Sequence, residues 1–487
     1  MDFYLNDEQR KFRQEVRDYV EENILPNRMQ WDQEDIFPED VIRDMAKKGW
    51  LGIPWPKEYG GMGKDFLSYA VAIEEISRVD GGVGVFMSVH SSAATAPIAD
   101  YGTEEQKQKY MVPLARGEKL GAFALTEQNA GSDAGGTETT AVLEGDEWVL
   151  NGEKIFITNA PAADIYTVFA ATTPGIGTKG VSAFIVEKGT PGFEFATRYS
   201  KMGLKSSCTS QLLFKNCRIP KENLLGEIGK GFNIAMTTLN GGRIGIASQS
   251  LGIAQGAYEA ALEQAKNRYQ FGQPIAANQV IAHKLADMAT RIRAARLMTY
   301  SAAMMKDAKA DFLQPAAMAK LFASETLQWV VDEALQVFGG SGYIRGITIE
   351  KMYRDARVTR IYEGTSEVQK IVISNQIIGR LGGSKEKKAG AKKEVRKVTG
   401  DREAHVIKDG TAEEKVDKLI ELVGLDNLKG EKVDINGSIT KAPKLVAFGM
   451  GVQDAEDMKL VEELAESTGA VLSSSRPVAE DRKWLPL

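Results

Sequence analysis

Near residue 361 the chain reads RIYEGTSEVQK, in which Glu363 is followed at once by Gly364 and Thr365. A glutamate in a loop is ordinarily solvated, whereas a buried one gains proton affinity and can serve as a general base. Ser366 and Gln369 have the spacing of a capping box, which predicts a helix from about Glu367 and leaves Glu363 on a loop just outside its N-terminus. Other stretches carry residue types suited to binding. FALTEQNAGSDAGG, residues 123–136, is crowded with Thr126, Gly131, Ser132, Gly135 and Gly136. Glycines let a backbone approach a ligand closely and hydroxyls bond polar atoms, although a long turn is an equal reading. KIFITN puts Thr158 on a strand beside Phe156. NRYQFGQPIAANQ sets Arg268 and Gln279 on either side of a turn, where an arginine could grip a phosphate or simply lie on the surface. QVFGGSGYIRG closes a helix at Gly339-Gly340, a common C-cap pattern.

These residues need elements to carry them. Residues 1–120 read as a helical domain. In NDEQRKFRQEVRDYVEENI, Phe12, Val16, Tyr19 and Val20 share one stripe, and Asn6 with Gln9 forms a capping box, a device repeated by Thr103 and Gln106. Over residues 121–228 the pattern alternates as strands do. Asn151-Gly152 in this stretch is the strongest short hairpin signal, so a turn is expected there. GIGTKG, residues 175–180, matches the dinucleotide fingerprint letter for letter, but a strand pattern follows it and a helix is required, so it reads as a hairpin loop. Residues 229–383 return to long helices, and the small residues of GIASQSLGIAQGAYEAA predict close helix–helix packing. Residues 384–440, basic and poor in apolar side chains, read as a linker. Residues 441–487 carry a buried-strand pattern and then an amphipathic helix.

A chain of 487 residues exceeds what one core organises, so about two to four domains are expected. The net charge of −5, with both signs interspersed, argues against nucleic acid or an anionic membrane as partner. The charged start MDFYLNDEQRKFRQEV has no apolar run of a secretory signal, and no stretch is long and apolar enough to span a bilayer, so a cytoplasmic setting is expected. Cys208 and Cys217 are too few for a disulfide framework and read as buried filler. His90, His283 and His405 lack metal-ligand spacing, so no metal site is expected.

In their order and spacing, LTEQNAGSD, KIFITN, RYQFGQPI, QVFGG and YRDARVTRIYEGTSEVQK resemble the acyl-CoA dehydrogenase family over residues 1–383. The resemblance implies a mainly α fold with a central β domain: a helical domain, a β-barrel-like domain and a four-helix bundle, followed here by a small α/β appendage. It also implies FAD between the domains and a homotetramer, or dimer of dimers. Phe123, Leu125, Thr126, Gly131, Ser132, Phe156, Ile157 and Thr158 would line the flavin, with Ser132 also touching CoA. Arg268, Gln279, Gln336, Val337, Phe338, Gly339 and Gly340 would hold the FAD of a neighbouring subunit. Asn240, Gly241, Gly242, Arg243 and Gly364 would lie against the acyl-CoA, and Thr365, Ser366 and Glu367 would meet the flavin. Glu363 matches the family's catalytic base. Some relatives place that base on a helix, immediately before the matching arginine, where this chain has Gly242, which cannot serve. The implied reaction is dehydrogenation of a short-chain acyl-CoA to the trans-2-enoyl-CoA, or the reverse, with electrons exchanged with an electron-transferring flavoprotein. The alternatives are another acyl-CoA (branched-chain, glutaryl-type or aryl-acryloyl) and a non-catalytic electron-transfer flavoprotein.

The last 45 or so residues resemble the start of the FAD domain of the electron-transferring flavoprotein α subunit, with Ser475 and Arg476 matching a flavin-contacting pair. FGMGV stands where a more glycine-rich loop is usual, and the match stops short of the remaining cofactor-binding half. No second competent FAD site is therefore expected, the segment reading as part of a truncated form, as a docking relic or, equally, as a poorly ordered appendage.

Overall fold

Helix α1, Asp7–Asn23, starts at the expected capping box of Asn6 and Gln9 and buries Phe12, Val16, Tyr19 and Val20. The structure is a computed structural model and describes residues 5–379; the linker and the appendage expected over 384–487 lie outside the described residues. Helices α2 (Phe66–Val79) and α3 (Gly81–Ser88) follow, both almost wholly buried. The Thr103–Gln106 capping box is also present.

The middle of the chain forms eight strands: β1 Gly121–Ala124, β2 Thr140–Glu144, β3 Glu147–Thr158, β4 Ile165–Ala171, β5 Val181–Glu187, β6 Phe193–Arg198, β7 Thr209–Pro220 and β8 Leu224–Leu225. Their order is β6-β7-β3-β2-β4-β5-β8, with β1 parallel to β4. The barrel-like domain expected from the sequence is thus an open mixed sheet. The edge strand β8 has two residues, too short to reach round and pair with β6. Strand β4 is buried along its whole length. Tyr166, Val168 and Ala170 face a core with Trp148 and Leu150, while Ile165 and Phe169 pack with Ile98, Tyr110 and Ile234 from the helices.

The hairpin turn expected at Asn151-Gly152 lies elsewhere. Strand β3 runs straight through both residues, and the chain reverses at Gly145-Asp146, between the paired Glu144 and Glu147. Asn151 bonds across to Asn216 on β7, and Gly152 sits at a shift in register, where a Cβ would collide with Thr139. The GIGTKG segment is a loop between antiparallel β4 and β5, as its context predicts.

Four long or well-placed helices then follow: α4 (Gly231–Asn267), α5 (Gln279–Asp307), α6 (Leu313–Phe338) and, after α7 (Thr348–Ala356), α8 (Ser366–Ile378). Helix α4 crosses α2 at glycines: a Cβ on Gly252 or Gly256 would strike the carbonyls of Glu74 and Arg78. This is the close packing that the run of small residues predicts. The two helical regions share one hydrophobic core, which joins Val16, Ile73 and Trp50 to Leu251, Val330 and Ile349.

Candidate active site

Glu363 lies between α7 and α8 in a backbone conformation that only glycine adopts freely, with φ of 50°, and Gly364 follows at 90°. Residues other than glycine rarely hold this conformation unless their surroundings enforce it. Here the enforcement is visible. The Gln369 side-chain amide donates to the carbonyls of Glu363 (3.2 Å) and Gly364 (2.9 Å). The Lys320 ammonium, from α6, donates to the same Gly364 oxygen at 2.7 Å. The helix cap differs from the expected box. Thr365 is the N-cap and accepts from the Val368 N–H, while Ser366 is already helical and donates to Glu325. No box closes, because with Thr365 as the cap the third helical residue is Val368, whose side chain has no acceptor.

As a residue Glu363 is half-buried, but its Oε2 is cut off from solvent and accepts no hydrogen bond. The carboxylate lies against Gly242 of α4, where a Cβ would come within 3.0 Å of Glu363 Cδ. Burial pushes this carboxyl up to about 7, with Lys320 and Arg243 as the cations opposing it. Burial likewise draws the Arg243 guanidinium down; one of its nitrogens donates to Asn240 at 2.6 Å, and its Nε is buried without a partner. Among the described residues the Glu363 N–H meets no acceptor. Gln249 accepts from the Tyr362 hydroxyl and donates to the Gly81 carbonyl at 2.8 Å, tying the loop to α3.

The two candidate flavin segments come together. Ile155 N–H donates to Thr126 O at 2.9 Å, and the Lys154 ammonium donates to Leu125 O at 3.1 Å and to Glu127 at 2.6 Å. Glu127 also accepts the Glu138 and Thr139 N–H groups, so this buried ion pair pins both ends of the 127–139 loop. A second shift in register, between Lys154 and Ile157, leaves Phe156 59% exposed, while Ile157 is buried and Thr158 half-buried. Gly131 and Ser132 are exposed, with nothing within 4 Å of a Cβ placed on Gly131. Phe123 and Tyr362 pack on one apolar cluster with Val85, Leu204 and Ile246, which brings the Glu363 loop to the flavin segments.

The remaining candidates stand apart. Arg268, Gln279, Gln336, Gly339 and Gly340 are exposed, Phe338 is half-buried and Val337 buried, and no hydrogen bond among the described residues joins them to the Glu363 loop. Gly339 caps α6 with φ of 60°, the helix-closing role its pattern predicts. Sequence reasoning missed Lys320, Glu127 and Lys154. The available signal was a lone charge in an apolar setting, as in PAAMAKLFAS. The cysteines are both buried, and buried His90 accepts from Gly121 N–H with its other nitrogen on Leu114 O; desolvation draws it down to about 4, fitting a structural, neutral ring.

Three profiles tile the described chain: the acyl-CoA dehydrogenase N-terminal domain over residues 6–118, the middle domain over 122–217 and the C-terminal domain over 229–378. The short-chain specific acyl-CoA dehydrogenase of Clostridium acetobutylicum is 50% identical over 377 residues, 77% of this chain and all of that protein. The chain belongs to the acyl-CoA dehydrogenase family. The solved butyryl-CoA dehydrogenase of Megasphaera elsdenii shares 46% identity and a TM-score of 0.76, covering 78% of this chain and all of that one. A chain in the structure described as the electron transferring flavoprotein of Acidaminococcus fermentans shares 48% identity and a TM-score of 0.77 over the same proportions. Residues 438–487 match the electron transfer flavoprotein FAD-binding domain, as the tail resemblance implies.

This acyl-CoA dehydrogenase chain is accordingly a flavin-dependent oxidoreductase whose cofactor is FAD. The residues present fit that group. An exposed aromatic face at Phe156, the half-buried Thr126 and Thr158 hydroxyls and the open space above Gly131 form a strip with free polar groups. No helix among the described residues is long and apolar enough to cross a membrane.

Proposed function

We propose that the chain dehydrogenates a short-chain acyl-CoA, or reduces the corresponding enoyl-CoA, with Glu363 exchanging the proton at the α-carbon. The observation that carries this reading is the buried, unpartnered Glu363 Oε2 facing the glycine gap at Gly242. A carboxylate stripped of water and hydrogen bonds binds a proton more tightly, and a base near 7 is matched to work at neutral pH. As the α-proton passes to Glu363, the pair of electrons of that C–H bond becomes the new C=C bond and the β-hydrogen departs with its own pair. FAD, when bound along Thr126, Ser132 and Phe156–Thr158, supplies the acceptor for that hydride. The free Glu363 N–H is suited to hold the thioester carbonyl where negative charge builds up. Asn240–Arg243 line the acyl side, and Arg243 keeps Asn240 in place.

Short-chain substrate preference is supported by the names of the relatives above. An electron-transferring flavoprotein as electron partner is supported by the 438–487 match. Assembly as a homotetramer, with Arg268, Gln279 and residues 336–340 reaching a neighbour's FAD, is supported by the apolar side chains exposed around them, including Phe271 at 96% and Tyr343 at 84%.

The test is an anaerobic titration of the FAD-loaded protein with butyryl-CoA, following the flavin's visible absorbance. The parent should bleach, and Glu363→Gln should stay yellow. Bleaching of Glu363→Gln at a near-parental rate would overturn the assignment of the base. A parent that binds FAD but does not bleach with any acyl-CoA would favour the non-catalytic electron-transfer reading.

A further inference from the structure

Lys320 has no accessible surface, on a stretch of α6 where its neighbours Ala316, Ala317, Ala319, Ala323 and Ser324 are also buried. Burying an ammonium is costly unless it is paired. Yet among the described residues no carboxylate lies within 4 Å of this one, and its hydrogen bond goes to a backbone carbonyl, Gly364 O. A lysine kept in so unfavourable a place, bonded to the residue next to the base, calls for a reason beyond packing.

We propose that Lys320 is a positioning residue for the base: its ammonium clamps the Gly364 carbonyl so that the strained loop holds Glu363 against Gly242, and it supplies the fixed cation that the carboxylate faces from the buried side. The inference rests on the reading of Glu363 given above. Clamp and charge are separable. Gln369 donates to the same carbonyl at 2.9 Å, so the loop has a second, neutral holder. The charged and titratable groups facing this pair are few. Arg243 on α4 faces both residues, Glu325 and Glu367 face Lys320, and the Tyr69 and Tyr362 hydroxyls face Glu363. Burial draws Lys320 down to about 8, which leaves it cationic at neutral pH.

Lys320→Gln keeps an amide able to reach Gly364 O and removes the charge, and Lys320→Arg keeps the charge. Each is prepared with FAD, alone and with Glu363→Gln. Infrared difference spectra, with minus without the Glu363 carboxyl, then follow its protonated band across pH. An opposite charge nearby typically holds a carboxyl down by one unit or more, so Lys320→Gln should move the midpoint up by about one pH unit. The rate of flavin bleaching below that midpoint should fall about tenfold. Lys320→Arg should retain the parental midpoint. An unmoved midpoint in folded Lys320→Gln overturns the proposal, since a purely structural lysine would alter stability and leave the titration alone. If the charge-free variant fails to fold, a displaced midpoint in Lys320→Arg overturns it, and a parental one supports it. Because the infrared band needs no substrate, failure of butyryl-CoA to bleach the parent would count against the proposed reaction and not against the role of Lys320.

Discussion

Replacing Gly242 by alanine tests the central contact of the site with the smallest possible change. The added methyl would lie 3.0 Å from Glu363 Cδ and 3.4 Å from its Oε1, with Oε2 closer still. Non-bonded carbons settle at about 3.5–4.0 Å, so the carboxylate has to retreat by roughly 1 Å. A displacement of about 1 Å at a reacting group is worth on the order of 100-fold in rate, or ~2.7 kcal/mol of barrier. The cost to folding should be near the low end for overpacking, about 1 kcal/mol, because a side-chain terminus can move and Oε2 has no hydrogen bond to lose. The assay is stopped-flow bleaching of the flavin by butyryl-CoA under anaerobic conditions, alongside a thermal melt and FAD content. The expected result is a rate down about 100-fold with little change in melting temperature. A Gly242→Ala protein that bleaches within a factor of about two of the parent would refute the reasoning, because the carboxylate could not then lie where the structure puts it. A large loss of melting temperature with the rate preserved would refute it equally.

Two further outcomes follow from buried charges. Lys154→Met strands Glu127 among its two backbone donors and should destabilise the protein by ~3 kcal/mol, the low end for breaking a buried pair, and release FAD at lower urea than the parent; circular dichroism and flavin fluorescence read both, and a parental midpoint with the flavin retained would count against the pair as the anchor of the 127–139 loop. For Glu363 the sign runs opposite to that of a salt-bridged acid. Its carboxyl is raised from 4.5 to about 7 in the folded chain, so the native state binds the proton more tightly than the unfolded one. The stability tied to that proton is complete below 4.5 and lost as pH rises through 7. Glu363→Gln should therefore melt higher than the parent at about pH 8 and match it near pH 4, where the acid is neutral in both states; a Glu363→Gln protein less stable than the parent at the alkaline end would show that the carboxylate is not desolvated.

Much of the fold was readable from short-range features because those features act locally. Asn6 and Gln9, Thr103 and Gln106, the stripe of α1 and the glycine closing α6 are fixed by neighbours a few residues away, and the structure keeps them all. The ordered motifs likewise identified the family and singled out Glu363. Where local signals competed, the sequence misled. Asn151-Gly152 looked like a turn, but pairing of β3 with β7 on both sides of the dipeptide and the cross-strand bond to Asn216 outweigh it, and Gly145-Asp146 turns the chain instead. Ser366 and Gln369 looked like a capping box, but the cap is Thr365, one residue earlier, and Gln369 instead turns its N–H groups to the carbonyls of Glu363 and Gly364.

Local patterns along the chain thus set the order of helix, sheet and helix and place a glutamate beside a glycine at a helix start. Only the fold shows that this glutamate's Oε2 is shut off from water and unpartnered, the condition that suits it to the proposed role of base. Its carboxylate is desolvated by Gly242 from one helix and faced by Lys320 from another, residues far apart in the chain. Proton affinity depends on the dielectric and charges within a few ångströms in space, and no periodicity or motif encodes which distant residues will supply them.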